Sequence, residues 1–388
     1  MRTSDQGRGE SLSGFPKTLL RADGRTATPS ERQLLTWLRR EPGLSRAELG
    51  RRMGIAGFSV SRLADGLIER GLIWESAPIV HGRGQPAAGL HLSSRAAFSL
   101  GVSVMTDAMD LVLLGLSGAP LCASTVRLNE PTLHLALDQV ESALAKMSAD
   151  GGMDLSRLVG AGLSITGFFV GQGHLVNPPA PLDDWALCDL EAAFRARLGC
   201  QVWLENDGNA AALGEAMVGA GLTYSSFAYL FFASGFGGGV VVDQALMRGR
   251  HGNAGEFGGC LPKGMAVPSL ERLRQLVSAA EGRESGLADL LETFDLSRPG
   301  VDAWLEEAGQ ALTLIASAIS GVLDPDAIIL GGRLPQPLAE ALIPFIRLAN
   351  PERRGYARPS PHVAPAVLGS DAAAIGAATL PLRAAFFS

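Results

Sequence analysis

The sequence predicts an α/β protein with a small, mainly helical N-terminal domain and a much larger domain of alternating strands and helices. The chain has 388 residues, more than a single hydrophobic core usually serves. Helix-start signals and helical periodicity fill residues 28–70, whereas short apolar runs alternate with helical segments from Phe98 onward. We therefore divide the chain into a flexible tail (1–27), a first domain (28–93) and a second domain (94–388).

The first domain opens with short helices that carry matching start signals. Thr28–Glu31 and Ser45–Glu48 both have the pattern of a capping box, in which a hydroxyl caps the helix and a glutamate three residues later returns the hydrogen bond. Gly54 is placed to end the second helix. A third helix is predicted from about Gly57 to Arg70. Its apolar face is expected to consist of Val60, Leu63, Leu67 and Ile68.

A helix, a glycine-containing turn and a second helix with small polar residues and an arginine near its start are typical of a helix-turn-helix. The second helix of such a unit lies in the major groove of DNA. Two short predicted strands follow and flank residues 80–86, a wing in which an arginine lies between glycines and can enter the minor groove. The expected DNA contacts are Ser59, Ser61, Arg62, Arg83 and Gln85. The alternative is a helical packing or dimerisation module whose polar residues only face solvent.

The charge distribution favours a nucleic-acid partner for the first domain alone. Residues 1–95 hold 15 Lys/Arg against 9 Asp/Glu, whereas the remainder holds 18 against 30, within a net charge of −6. A basic segment on an acidic body is expected when only that segment meets a polyanion. The start of the chain lacks an apolar signal core, Phe227–Val242 is too short and glycine-rich to span a bilayer, and the four cysteines form no CxxC pair. We expect a cytoplasmic protein without a membrane partner.

The second domain contains four segments with unusual local chemistry. They are LENDGNAAALGE at 204–215, ASGFGGG at 233–239, GNAGEFG at 252–258 and AIILGG at 327–332. The first follows a predicted strand and opens a helix, so Asn206 and Asp207 should lie at the carboxyl edge of a sheet, where α/β proteins bind ligands. The second can offer backbone N–H groups to an anion.

In this order and spacing, the four segments resemble those of the ROK family, which comprises repressors, open reading frames and kinases. The resemblance covers residues 30–388 and implies an actin-like, two-lobed, sugar-kinase-like fold. The lobes should meet near residue 205 and again near residue 365. The N-terminal winged helix-turn-helix is similar to that of the repressor branch, which implies operator DNA as a partner and a homodimer or a dimer of dimers.

The chain departs from the family's kinases at the loop that holds the magnesium–phosphate end of ATP. Where those kinases carry a DxGxT-type loop, Ser103 replaces the acid and Met105 and Thr106 replace the glycines. Side chains there block backbone approach to phosphate, and the lost carboxylate removes a metal contact. Phosphoryl transfer depends on positioning and charge stabilisation, so we expect no enzyme activity. Asp207 holds the family's general-base position but is expected to bind only.

The family's zinc site is also altered. It usually combines a histidine after the GE segment with a cysteine-rich run, but here Gly259 stands at the histidine position and Cys260 is the one cysteine that follows. One cysteine without a neighbouring histidine does not make a tetrahedral site. We therefore expect no zinc and no other cofactor.

The sugar-recognising positions of the family are better preserved. Carboxylates and amides suit a polyol because they pair with vicinal hydroxyls. By resemblance, the residues expected to bind a sugar effector are Asn206, Asp207, Glu256, Glu271 and Asn177. The sequence thus predicts a DNA-binding regulator, most simply a repressor, whose pseudo-kinase domain binds a sugar. The alternatives are a sugar kinase with an N-terminal DNA-binding extension, and a DNA-binding protein whose second domain is structural and insensitive to sugars.

Overall fold

The structure is a computed structural model that describes residues 15–77, 88–128, 131–171, 175–348, 350 and 352–388. The N-terminal domain consists of three helices and a short antiparallel strand pair. These elements are α1 (Pro29–Arg40), α2 (Arg46–Met53), α3 (Gly57–Glu69), β1 (Ile73–Glu75) and β2 (Leu90–Leu92).

Both predicted capping boxes are present. The Thr28 hydroxyl accepts a hydrogen bond from the Glu31 backbone N–H at 3.2 Å, and the Glu31 carboxylate accepts one from the Thr28 N–H at 2.7 Å. Ser45 and Glu48 make the same exchange at the start of α2. Gly54 ends α2 with φ +66°, a left-handed conformation that glycine adopts without steric cost. Local sequence therefore determines where both helices begin and where α2 ends.

The strand pair forms the base of a wing behind α3. Trp74 pairs with His91 in the β1–β2 ladder, and their rings stack with centroids 4.6 Å apart. Leu44, in the turn between α1 and α2, forms an additional antiparallel bridge to Leu90. Helices, turn and strand pair together confirm the predicted winged helix-turn-helix.

The prediction of a flexible tail is wrong for residues 15–27. Phe15 and Leu19 are buried in the same apolar cluster as the three helices. Arg70, at the end of α3, donates to the carbonyl oxygens of Leu19 (3.0 Å) and Thr26 (2.5 Å). The apolar side chains and the arginine hold this segment against the domain, which therefore begins before Thr28.

The first lobe of the larger domain is built on a twisted mixed sheet. Its elements are β3 (Phe98–Val104), β4 (Ala108–Gly115), β5 (Pro120–Arg127), α4 (Leu133–Asp150), β6 (Leu158–Ile165), β7 (Phe168–Val170), β8 (Leu175–Asn177), α5 (Leu190–Leu198) and β9 (Val202–Asn206). Within the described residues the strand order is β5-β4-β3-β6-β9. The first three strands are antiparallel neighbours, and β6 and β9 run parallel to β3.

The second lobe repeats this arrangement. Its elements are α6 (Asp207–Val218), β10 (Phe227–Phe232), β11 (Phe236–Val242), β12 (Ala245–Leu246), α7 (Leu270–Glu281), α8 (Leu287–Glu292), α9 (Val301–Val322), β13 (Ala327–Gly332), α10 (Gln336–Leu342), β14 (His362–Pro365) and α11 (Ala372–Phe386). In the described part of the chain its sheet has the order β12-β11-β10-β13-β14. None of the helices described has the length and apolar character needed to cross a membrane.

Helices α6 and α11 pack against each other where the chain passes between the lobes. A Cβ atom at Gly376 of α11 would lie 1.6 Å from the Ala210 carbonyl oxygen of α6, so only glycine fits there. On its other side α11 touches the first sheet, where a Cβ at Gly162 would lie 1.9 Å from the Ala377 carbonyl oxygen. The two helices are thus packed at backbone contact with each other, and α11 is packed in the same way against the first lobe.

The C-terminal end of α11 also carries the N-terminal domain. Leu34 and Leu38 of α1 belong to the same buried apolar cluster as Phe386 and Phe387. Arg32 of α1 donates to the Ala384 carbonyl oxygen at 2.6 Å and to the Phe387 carbonyl oxygen at 3.1 Å. The two domains are therefore joined by apolar packing and by the hydrogen bonds that Arg32 donates to carbonyl oxygens at the end of α11.

Candidate effector site and DNA-binding surface

A cavity of about 160 Å³ lies between the lobes at the start of α6. It is lined by carboxylate, amide and hydroxyl groups, by aromatic rings and by the exposed backbone of glycines. The lining residues are Thr166, Gly167, Phe168, Asn206, Asp207, Phe231, Ala233, Gly235, Phe236, Gly237 and Glu256. Three of the five predicted effector residues are therefore brought together here. None of the described lining residues is Lys, Arg or His.

Asn206 and Asp207 reach the cavity because β9 ends and α6 begins between them. The Asn206 side chain caps the helix by accepting from the Asn209 N–H at 3.1 Å, and its amide donates to the Gly167 carbonyl oxygen at 2.7 Å. The Asp207 carboxylate accepts from the Thr166 hydroxyl at 2.6 Å and from the Gly208 N–H at 2.8 Å. Burial raises the pKa of Asp207 to about 6, against an ordinary value of 3.8.

Close glycine contacts place Glu256 opposite Asp207. A Cβ at Gly255 would lie 2.4 Å from the Gly238 carbonyl oxygen, and one at Gly208 would lie 2.6 Å from the same atom. The start of α6, strand β11 and the loop before Glu256 therefore meet at backbone distance. Glu256 lies at the open rim, where partial desolvation raises the pKa of its carboxyl.

Asn253 joins the loop of the second lobe to the first lobe. Its side chain accepts from the Phe169 N–H and donates to the Phe169 carbonyl oxygen, both at 2.8 Å, as a paired strand would. Asn253 belongs to the family-like segment 252–258, but the sequence alone gave it no role. A side chain that bridges the lobes beside the cavity is sensitive to any change in their separation.

The other two predicted effector residues do not line this cavity. Glu271 is held by Arg274, whose Nη2 lies 2.8 Å from its Oε1, and this pairing lowers the pKa of the Glu271 carboxyl. Asn177 pairs in register with Phe168 at the end of the β7–β8 ladder. Neither Glu271 nor Asn177 is among the residues that line the cavity with Asp207.

The start of α3 is exposed on the surface of the N-terminal domain. Ser59 and Arg62 are exposed and Ser61 is half-buried, while Val60 and Leu67 face the core. The predicted wing residues Arg83 and Gln85 lie outside the described residues. Phe58, to which the sequence pattern gave no role, is 83% exposed at the second position of the helix.

The family model described as the ROK family matches residues 100–384. The chain belongs to the ROK family. A second model, described as the MarR family, matches residues 27–84, and this N-terminal part is a MarR-type winged helix-turn-helix. The ROK domain thus follows a DNA-binding fold, as the sequence predicts.

The relatives of this ROK protein include regulators and kinases. A xylose repressor of Bacillus spizizenii is 26% identical over 59% of each chain. The structure of a ROK family transcriptional regulator, a homologue of the E. coli MLC protein, has a TM-score of 0.66, covers 92% of this chain and 95% of its own, and is 20% identical. A ROK family glucokinase of Streptomyces griseus, solved with glucose and AMPPNP, has a TM-score of 0.60 and is 25% identical, covering 73% of this chain and 99% of its own.

At the position of the family's ATP phosphate loop, this ROK domain has an ion pair between its lobes. Ser103 and Met105 are buried. The next carboxylate, Asp107, accepts from Arg333 Nη1 at 2.7 Å and 3.0 Å, and Arg333 directly follows the glycine pair that ends β13. Thr106 also reaches the Ser234 hydroxyl at 3.5 Å.

The positions that correspond to the family's zinc site are exposed to solvent in this chain. Gly259 and Cys260 are both exposed at the surface of the second lobe. Among the residues that the structure describes, no group of three or more His, Cys, Asp or Glu side chains is placed to hold a metal ion.

Proposed function

We propose that this ROK protein is a transcriptional repressor whose ROK domain binds an uncharged sugar as its effector in the cavity beside Asp207. The observation that carries the proposal is the position of α6. Its first turn forms the cavity, and its last turn is held by an arginine of the DNA-binding domain. A ligand that moves the start of this helix therefore acts on a helix that the DNA-binding domain contacts directly.

The cavity has the chemistry of a site for a neutral polyol. The carboxylates of Asp207 and Glu256 can accept hydrogen bonds from sugar hydroxyls, and the Asn206 amide can donate or accept them. The rings of Phe168 and Phe236 can cover the apolar face of a sugar. Phosphorylated sugars are disfavoured because the carboxylates of Asp207 and Glu256 would repel them and no described cation lines the cavity. The xylose repressor relative supports a sugar of this kind.

Arg39 is the contact that links α6 to the DNA-binding domain. Its Nη1 donates to the Met217 carbonyl oxygen in the last turn of α6, and its guanidinium lies 5.7 Å from the ring centroid of Phe387. Burial lowers the pKa of Arg39 to about 10, so the side chain stays charged at neutral pH. A helix of 12 residues spans roughly 18 Å, which is the distance over which a change at Asp207 would act.

Operator recognition by one helix-turn-helix favours a homodimer. Two recognition helices about one DNA turn apart can contact the two halves of a palindrome, and such symmetry is usual for repressors with this motif. We include a homodimer, or a dimer of dimers, in the proposal.

The alternative of an active sugar kinase is disfavoured by the Asp107–Arg333 pair. ATP phosphates would have to approach the Asp107 carboxylate, and Arg333 would have to leave Asp107 to meet them. A coupled assay with ATP and a panel of hexoses and pentoses should give no turnover. Phosphorylation of any of these sugars by the purified protein would contradict the non-enzyme part of the proposal.

The proposal is tested by measuring DNA and sugar binding on the same preparation. A binding site is first selected from random duplex DNA, and fluorescence anisotropy then gives its Kd with and without monosaccharides. One sugar should weaken operator binding and also stabilise the protein, by ~2.7 kcal/mol at 100 times its Kd. Asp207→Asn should remove the sugar effect, whereas Glu284→Gln should not, because it removes a carboxylate that is 85% exposed and paired with Arg274 outside the cavity. If no sugar changes either quantity, the effector proposal fails while DNA binding stands.

A further inference from the structure

The first turn of α3 exposes a large apolar side chain without a structural role. Phe58 is 83% exposed, whereas the apolar residues Val60, Ala64 and Leu67 of the same helix are fully buried. Trp74, the other strongly exposed aromatic residue described in this domain, at least stacks on His91. Folding therefore gains almost nothing from the Phe58 ring, and its apolar surface stays in water until something covers it.

Phe58 shares its helix face with polar residues. Residues 58, 61, 62 and 65 follow the i, i+3, i+4, i+7 spacing of one helical stripe, on the side away from Val60 and Leu67. Asp65, the acid of this stripe, is neutralised by Arg46, whose Nη1 lies 2.7 Å from its Oδ1. The stripe therefore offers a ring, a hydroxyl and the guanidinium of Arg62, which has no ion-pair partner among the residues that the structure describes.

We propose that the Phe58 ring contacts the 5-methyl group of a thymine in the major groove and sets a preference for thymine at one position of each half-site. This inference rests on the proposed DNA-binding function and deepens it. The thymine methyl is the apolar group that base pairs present in the major groove, and an aromatic ring is suited to contact it. The positions of Phe58 and Arg62 on one stripe of a recognition helix, in a segment with an excess of basic residues, favour DNA over a second protein as the occupant.

The selected DNA site allows the contact to be tested by removing one methyl group at a time. Each thymine of the site is replaced in turn by uracil, which keeps every base pair and hydrogen bond. Wild-type protein should bind about fourfold more weakly when one particular thymine of a half-site is replaced, since burial of one such group is worth about 0.8 kcal/mol. Phe58→Ala should bind the thymine and uracil sites equally, and Phe58→Leu should keep part of the difference.

Arg62→Ala is the matched control on the same stripe. It should weaken binding to every site but keep the uracil effect, because the ring remains. Equal uracil effects in wild type and Phe58→Ala, or none in wild type, would overturn the proposal. A changed oligomeric state of Phe58→Ala in sedimentation, without a methyl effect, would overturn it too and assign the ring to a protein contact. Failure to select any DNA sequence would instead refute the DNA-binding function itself.

Discussion

Replacing Asp207 by asparagine should stabilise the protein at neutral pH while it destroys the effector site. The carboxylate is buried, and burial raises its pKa to about 6 despite hydrogen bonds from Thr166 and Gly208, with the nearby Glu256 carboxylate acting in the same direction as burial. Keeping this group ionised in the folded state therefore costs free energy. Asparagine has nearly the same shape, carries no charge and can still accept a hydrogen bond.

The size of the effect follows from the two pKa values of Asp207. The folded-state value of about 6 lies some two units above the ordinary 3.8, and one unit corresponds to about 1.36 kcal/mol. Ionised Asp207 therefore lowers the free energy of unfolding by at most about 3 kcal/mol. Because the pKa is raised in the folded state, this loss is absent below pH 3.8 and complete above about pH 6.

The assay is a comparison of urea or thermal unfolding of the wild type and Asp207→Asn at several pH values between 4 and 8. The variant should be the more stable protein at pH 7, and the difference should shrink as the pH falls towards 4. Glu284→Gln, at an exposed position, should track the wild type throughout. A difference that does not change with pH, or a variant that is less stable at pH 7, would refute the argument that Asp207 is a strained buried charge.

Three further substitutions test the core and the connection between the domains. Arg39→Met keeps the apolar stem of the side chain but loses the hydrogen bond to the Met217 carbonyl oxygen. Sugar binding, measured by calorimetry, should persist, while the effect of the sugar on DNA affinity should disappear. An unchanged effect on DNA affinity would exclude α6 and Arg39 as the connection between the two sites. Leu67→Ala leaves a cavity under α3, so it should lower the free energy of unfolding by about 2–5 kcal/mol and abolish DNA binding. Thermal unfolding measures the first effect, and a variant as stable as the wild type would contradict the burial of Leu67. Gly376→Ala places a methyl group 1.6 Å from the Ala210 carbonyl oxygen and should give insoluble protein, which a simple expression trial checks.

Features decided within a few residues were predictable from the sequence. The capping boxes at Thr28 and Ser45 involve partners three residues apart, so their pattern was sufficient. The strand-to-helix change at Asn206 and Asp207 likewise placed both side chains at a sheet edge, and the structure has them in one cavity with Glu256.

Features that depend on distant or competing partners were not predictable. The Asp107–Arg333 pair joins residues 226 positions apart, which no local pattern reveals. Glu271 was assigned to the effector site by resemblance, but Arg274 one helical turn later pairs with it. Phe58 was missed because an apolar residue in a helix is normally assigned to the core, although its position two residues before Val60 puts it on the opposite face.

The packing of the DNA-binding domain on α11 also determines when, during synthesis, the protein can become functional. Arg32 and the Phe387 carbonyl that it binds are 355 residues apart, so the ribosome makes the DNA-binding helices long before their support. At ~5–20 residues per second, the delay is roughly 20–70 seconds. During that interval a nascent chain has its recognition helix but not the platform that holds it. Only a chain that has been synthesised past Phe387 can therefore present that helix to an operator in a fixed orientation.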